Sequence, residues 1–212
     1  HPTADIHFKD NTRIKKVHTA TYLGCGIGIK STNRQELGKR FANTMATMKK
    51  LDTFWRHSNC DTAIKIHVAE AVLRSKLLYG LESAQLIPSI AKRLDTFQLK
   101  VLRKILRMDT TYIDRANTNL EVIKRANTAM ENEGKSKKII PFSQAYIKFK
   151  RKLVCKIITN TESPAHKVTF INNKLRKWIH QGRRVGRPRM NWAEETVKEL
   201  WDYLKKDDQR YK

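Results

Sequence analysis

The chain has 212 residues, enough for one large domain or two small ones with a real core. Its 44 Lys and Arg outnumber 20 Asp and Glu, a formal net charge of +24, and self-repulsion on that scale is relieved by a polyanion. No apolar run approaches the ~20 residues of a membrane span, because the best stretch, Ala69 to Leu86, is broken by Arg74, Lys76 and Glu82.

Cys25, Cys60 and Cys155 are odd in number and far apart, which argues against a disulfide framework and for a reducing, intracellular setting. The chain starts at His1 rather than Met, so a processed start or a piece of a longer chain is expected, and nothing near it reads as a secretory signal. An organelle such as the mitochondrion and the nucleus both stay open as compartments.

In chain order, residues 1–32 read as a β-hairpin. Ala4 to Lys9 alternates apolar and polar residues, Asp10-Asn11 is the turn, and a second run ends in Ala20-Thr21-Tyr22-Leu23-Gly24. Gly24, Gly26 and Gly28 spell G-x-G-x-G, but the third spacing glycine and the Lys-Ser/Thr of a P-loop are missing, so a glycine-kinked strand is the better account. From 33 to 131 the period becomes helical. Leu37, Phe41, Met45 and Met48 form one stripe, and Phe54 to His57 read as a loop. Asp61 is positioned to cap a helix over 62–86, with Ile64, Val68, Val72 and Leu73 inward and a break at Gly80.

Pro88 suits the first residue of a third helix whose inner stripe is Ile90, Leu94, Phe97, Val101 and Ile105. Opposite them lie Lys100, Arg103, Lys104 and Arg107, a face of one sign and a candidate phosphate contact. A fourth helix over 118–131 runs through Leu120, Ile123 and Met130. Residues 132–140, polar and glycine-containing, read as a linker carrying Lys135, Lys137 and Lys138. The C-terminal region, 141–212, then opens at Pro141 with Ala145, Phe149, Leu153 and Ile157 inward. A further helix follows Pro164 through Val168, Ile171, Leu175 and Trp178. The last has Asn191 and Glu194 as an N-cap pair and a stripe of Val197, Leu200, Trp201 and Leu204. The fold class is mainly α, a helical bundle behind a short hairpin.

The charge is regional. Residues 134–190 hold 16 Lys and Arg against the single acid Glu162, whereas 191–212 hold six acids and five bases. Solubility alone does not call for such segregation. One cluster is Lys148, Lys150, Arg151 and Lys152, beside Tyr146 and Phe149. The other is Arg183-Arg184-Val185-Gly186-Arg187-Pro188-Arg189, whose narrow Gly-Arg-Pro core is similar to that of an AT-hook and lets arginines fork onto phosphates. If six to ten of these groups meet phosphates, affinity falls by about 10³–10⁵ between roughly 50 and 200 mM salt.

Tyr22-Leu23-Gly24, the run from Ala71 to Glu82, and the run from Arg93 to Leu106 together resemble the end of the palm and the thumb of non-LTR (LINE-type) retrotransposon reverse transcriptases. Gly186-Arg187-Pro188-Arg189-Met190-Asn191-Trp192 is similar to a stretch near the C-terminus of many such polyproteins. The resemblance implies a thumb that holds a template-primer duplex. It also implies that a catalytic Tyr-x-Asp-Asp turn would precede the Tyr22-Leu23-Gly24 strand, so the chain is expected to start after it. Two-metal phosphoryl transfer needs convergent carboxylates, and Asp207-Asp208, in a polar tail, matches none of them. No catalysis, cofactor or metal is expected; His57 and Cys60 lack a second pair to complete a zinc site.

The expected partner is nucleic acid, RNA before DNA, together with other proteins of a large ribonucleoprotein such as an organellar ribosome, and no membrane. A fragment of an active RNA-directed DNA polymerase and a DNA-binding accessory protein are the alternatives.

Overall fold

The stripe of apolar residues from 90 to 105 makes one helical face, and the helix that carries it packs against four other helices. The computed structural model describes residues 9–10, 19–22, 25–28, 33–84, 86–132, 134, 138–172, 174–175 and 192–208. Among these the chain is mainly α-helical with a short antiparallel hairpin. The elements are β1 (Thr19–Tyr22), β2 (Cys25–Gly28), α1 (Asn33–Lys50), α2 (Asp52–His57), α3 (Thr62–Val68), α4 (Ser75–Leu78), α5 (Pro88–Leu106), α6 (Asn119–Glu131), α7 (Phe142–Thr159), α8 (Pro164–Thr169), β3 (Phe170–Ile171), β4 (Lys174–Leu175) and α9 (Trp192–Asp208).

The short hairpin is present, with a turn at Lys9-Asp10, and the described pairing is on the C-terminal side of β1. Strand β1 pairs with β2, Thr19 opposite Gly28 and Tyr22 opposite Cys25, so its partner is the glycine-rich segment that follows. Two adjacent strands close the smallest loop and therefore lose the least chain entropy on pairing. Ala4 to Phe8 lie outside the described residues.

Helix α1 buries Leu37, Thr44 and Met48 and half-buries Phe41 and Met45, the stripe its periodicity predicts. Phe54 to His57 form a helix rather than a loop. The reason is tertiary: Trp55 is buried and its indole Nε1 donates to the Met48 carbonyl at 3.0 Å, while Lys65 Nζ donates to the Trp55 and Ser58 carbonyls at 3.2 and 3.0 Å.

Between α3 and α4, Ala69–Arg74 winds as a π-helical segment. Each π turn takes up an extra residue and rotates the apolar face. Leu73 is thus fully buried, while Val72 and Ile64, both expected inward, are exposed. Asp61 stands at the N-cap of α3 without a side-chain capping bond. The break comes at Gly80, in the left-handed region at φ 65°, followed by a 3-10 turn, Leu81–Ser83. A side chain at that φ is strained, which is why glycine stands there.

Helix α5 starts with Pro88 at its first turn and buries Ile90, Leu94, Phe97, Val101 and Ile105 as predicted. It packs against α2, α3, α6 and α7. Thr118 caps α6, its Oγ1 accepting from Glu121 N at 3.2 Å. The buried face of α6 is Val122, Ala126 and Met130; Leu120, expected in the core, is 81% exposed. Phe142, Ala145 and Tyr146 of α7 belong to the same core cluster as α1 to α6. Packing is therefore continuous across the expected linker.

Phe149 of α7 faces outward, and Tyr146, Lys150 and Val154 take the inner positions together with Ala145 and Ile157. The helix expected from Pro164 to Trp178 ends at Thr169 and gives way to the two-residue ladder of β3 and β4, turned by Asn172 at φ 50°. Val168 and Ile171 are exposed there, and Trp178 lies outside the described residues. On α9, Leu200 is buried whereas Trp201 and Leu204 are exposed. No helix among the described residues is long and apolar enough to cross a membrane.

Because Leu94 has no exposed surface, Leu94→Ala is expected to lower unfolding stability by about 2–5 kcal/mol. Leu120→Ala should change it by less than about 0.5 kcal/mol. Urea unfolding of both variants checks the contrast, and similar losses from the two would contradict this placement of α6.

Candidate nucleic-acid interface

Cations on a basic chain divide into those the fold uses and those it leaves to solvent, and most of the α5 set belongs to the first group. Arg103 Nη2 donates to Asn117 O at 3.0 Å and Asn119 Oδ1 at 2.9 Å, tying α5 to the start of α6. Lys104 pairs with Asp52, and Arg107 Nη2 donates to Arg56 O at 2.6 Å, both binding α5 to α2. The hydrogen bond from Lys104 and the charge of Arg56 hold the Asp52 carboxyl below its ordinary range. On the expected phosphate-binding face of α5, Lys100 is exposed, and Arg107 is exposed as well beside its bond to Arg56. Arg103, Lys104 and Arg107 hold helices together, since each finds a fixed acceptor within reach.

Helix α7 divides in the same way. Its N-terminus is held by α5: Asp95 Oδ1 accepts from Ser143 N at 2.8 Å and Oδ2 from Ser143 Oγ at 2.7 Å. Gln98 accepts from Phe142 N at 3.1 Å and donates to Ile140 O at 2.9 Å. With the helix so oriented, Lys150 points inward. Its side chain is 2% exposed and its Nζ lies 3.0 Å from Glu199 Oε2 of α9. Lys150 is therefore no phosphate ligand, contrary to expectation, because it is sealed between α7 and α9. Arg151 lies with its guanidinium carbon 3.9 Å from the centre of the Tyr203 ring, a cation–π contact that also engages α9.

Lys148 and Lys152 face solvent, as does Lys156. At about 100° per residue, positions i, i+4 and i+8 fall along one side of a helix, so these three form a row. Among the described residues no carboxylate pairs with any of them. Lys156 adds to the residues expected from the sequence, and its i+4 spacing from Lys152 is the signal for it. Lys138 is exposed near the start of this region. Lys135, Lys137, Arg183, Arg184, Arg187 and Arg189 lie outside the described residues. No group of three or more His, Cys, Asp or Glu among the described residues is placed to hold a metal.

Tyr146 anchors the opposite side of α7, its hydroxyl donating to the Ala84 carbonyl at 2.5 Å. Burial pushes its phenol up to about 12, Glu199 and Glu82 add to the shift, and the Leu86 backbone opposes it.

Glu199→Gln is expected to destabilise by about 1–3 kcal/mol, as it leaves a buried ammonium without its carboxylate. Lys150→Met, which keeps the volume and removes the charge, should cost less than about 1 kcal/mol, and thermal unfolding distinguishes the two. The reverse order would mean that the pair does not govern docking of α9. For Tyr146, a folded-state value above the unfolded one means stability fully present below pH about 10 and lost as pH rises toward about 12. Wild type should therefore lose stability more steeply than Tyr146→Phe across that window in denaturant titrations, and parallel curves would count against the burial. In comparisons with known proteins, no family model, no curated protein and no solved structure matches this chain.

Proposed function

We propose that this chain binds RNA without catalysis, through a thumb and basic arm derived from a non-LTR reverse transcriptase, as a structural subunit of a large ribonucleoprotein such as an organellar ribosome. The observation that carries the reading is the row Lys148, Lys152 and Lys156. These like charges are held on one side of a helix whose orientation is fixed from α5, and no carboxylate among the described residues forms an ion pair with them. Like charges at i, i+4 spacing repel. A polyanion with regularly spaced phosphates removes that cost and releases its own counterions.

Two features of the sequence point the same way. The segment 134–190 concentrates 16 Lys and Arg against one acid, and the Gly186-Arg187-Pro188 arm with its flanking arginines extends the basic tract. The resemblance of residues 71–106 to a thumb supplies the kind of ligand, a nucleic acid that includes an RNA strand. RNA is favoured over DNA on that ground, and no residue set suggests joining nucleotides.

Replacing Lys148, Lys152 and Lys156 together with Gln should reduce the slope of log K against log salt by about 2, roughly 0.7 per lost single-strand contact. Replacing Arg183, Arg184, Arg187 and Arg189 with Ala should act in the same direction. Fluorescence anisotropy with labelled RNA across a salt series reads both; an unchanged slope in each would remove these groups from the interface. Sedimentation of the native protein from its source, with and without ribonuclease, tests the assembly. Fast migration abolished by ribonuclease is expected, and slow migration indifferent to it would contradict the subunit role.

A further inference from the structure

Beside the lysine row a groove of about 370 Å³ opens between α7 and the turn that follows α4. Tyr79 and Phe149 line it, and both residues are exposed, at 60% and 40%. Leu78, buried, contributes apolar surface, Glu82 lines it as well, and Lys152 and Lys156 belong to its walls. The tyrosine is held at the backbone. Its carbonyl accepts from Arg40 of α1, its N–H donates to Ser75 O at 3.0 Å, and Gly80 turns the chain immediately after it. The opposite wall is fixed through Tyr146, whose hydroxyl bonds Ala84 in the same turn.

Two exposed aromatic rings in a groove with ammonium groups in its wall suit a particular ligand. The faces of the rings accept a flat base, and the lysines accept the phosphates on either side of it. The carboxylate of Glu82 disfavours a phosphate in the groove itself and offers an acceptor to a base N–H. A paired, stacked duplex presents no free base face, whereas an unpaired nucleotide does. We propose that this groove is a stacking site for an unpaired base of single-stranded RNA, between Tyr79 and Phe149, with Lys152 and Lys156 on the flanking phosphates. The proposal rests on the RNA-binding reading and narrows it to a single-stranded segment at this face.

Base–aromatic stacking is largely indifferent to salt, while phosphate contact is not, so the two contributions separate experimentally. The probes are a short single-stranded RNA and a blunt RNA duplex, each titrated over a salt series against wild type, Tyr79→Ala and Phe149→Ala. Loss of either ring should weaken single-strand binding by about five- to one-hundred-fold with an unchanged salt slope. Duplex binding should hold, and Phe149→Tyr should keep wild-type affinity. As a check that does not depend on variants, 2-aminopurine within the single strand should be quenched on binding wild type and not on binding Tyr79→Ala. Binding of both RNAs by wild type, with the ring variants unaffected or weakened equally on both probes, would overturn the stacking site and leave the RNA-binding reading standing. Failure of wild type to bind either RNA would overturn that reading too.

Discussion

The clamp that α5 places on the N-terminus of α7 orients the helix that carries the candidate interface. A helix start has free N–H groups and a partial positive charge. Asp95 supplies an acceptor and a negative charge there, and Gln98, one turn along α5, bonds the adjoining backbone on both sides. Both side chains come from α5, whose inner stripe lies in the core, so α7 inherits the rigidity of that core. Its rotation about its own axis is fixed as a result. Lys150 must then turn toward α9 while Lys148, Lys152 and Lys156 must turn away.

A chain with an excess of 24 positive charges has to place many cations without unfolding itself. The observed solution is to give the inner ones fixed acceptors. Lys65 bonds two carbonyls, Arg40 bonds Glu36 and the Tyr79 carbonyl, Lys104 pairs with Asp52, and Lys150 with Glu199. Each joins elements or turns that hydrophobic packing brings near. These internal cations thus serve as connectors. Glu199 of the nearly neutral C-terminal stretch takes part in this by meeting α7 on its inner side.

The groove and the lysine row share one origin. Gly80 ends the α4 rod, the turn behind it carries Tyr79 and Glu82, and α7 packs across that turn. A turn carrying Tyr79 and a helix carrying Phe149 and two lysines come together because residues more than sixty positions apart are brought to one surface. In the functional reading, electrostatics draws the RNA to the face and stacking holds a base within it.

The sequence by itself determined the mainly helical class, the start of α5 at Pro88 and its buried stripe, the break at Gly80, the region where charge is concentrated, and the resemblance that suggests a nucleic-acid ligand. These are local properties, since periodicity, a fixed proline φ, a glycine at positive φ and a count of charges need no knowledge of distant residues. Tertiary structure decided the rest. It made a helix of 52–57 by burying Trp55, and left Ile64, Val72, Leu120, Phe149 and Trp201 outside. It also chose which cations are structural. Arg103 and Lys152 look alike in the sequence, each a basic residue on an amphipathic helix, yet one meets Asn117 and Asn119 and the other meets solvent. A cation's role depends on whether an acceptor from another element lies within about 3 Å of it, and that proximity is created only when the helices pack.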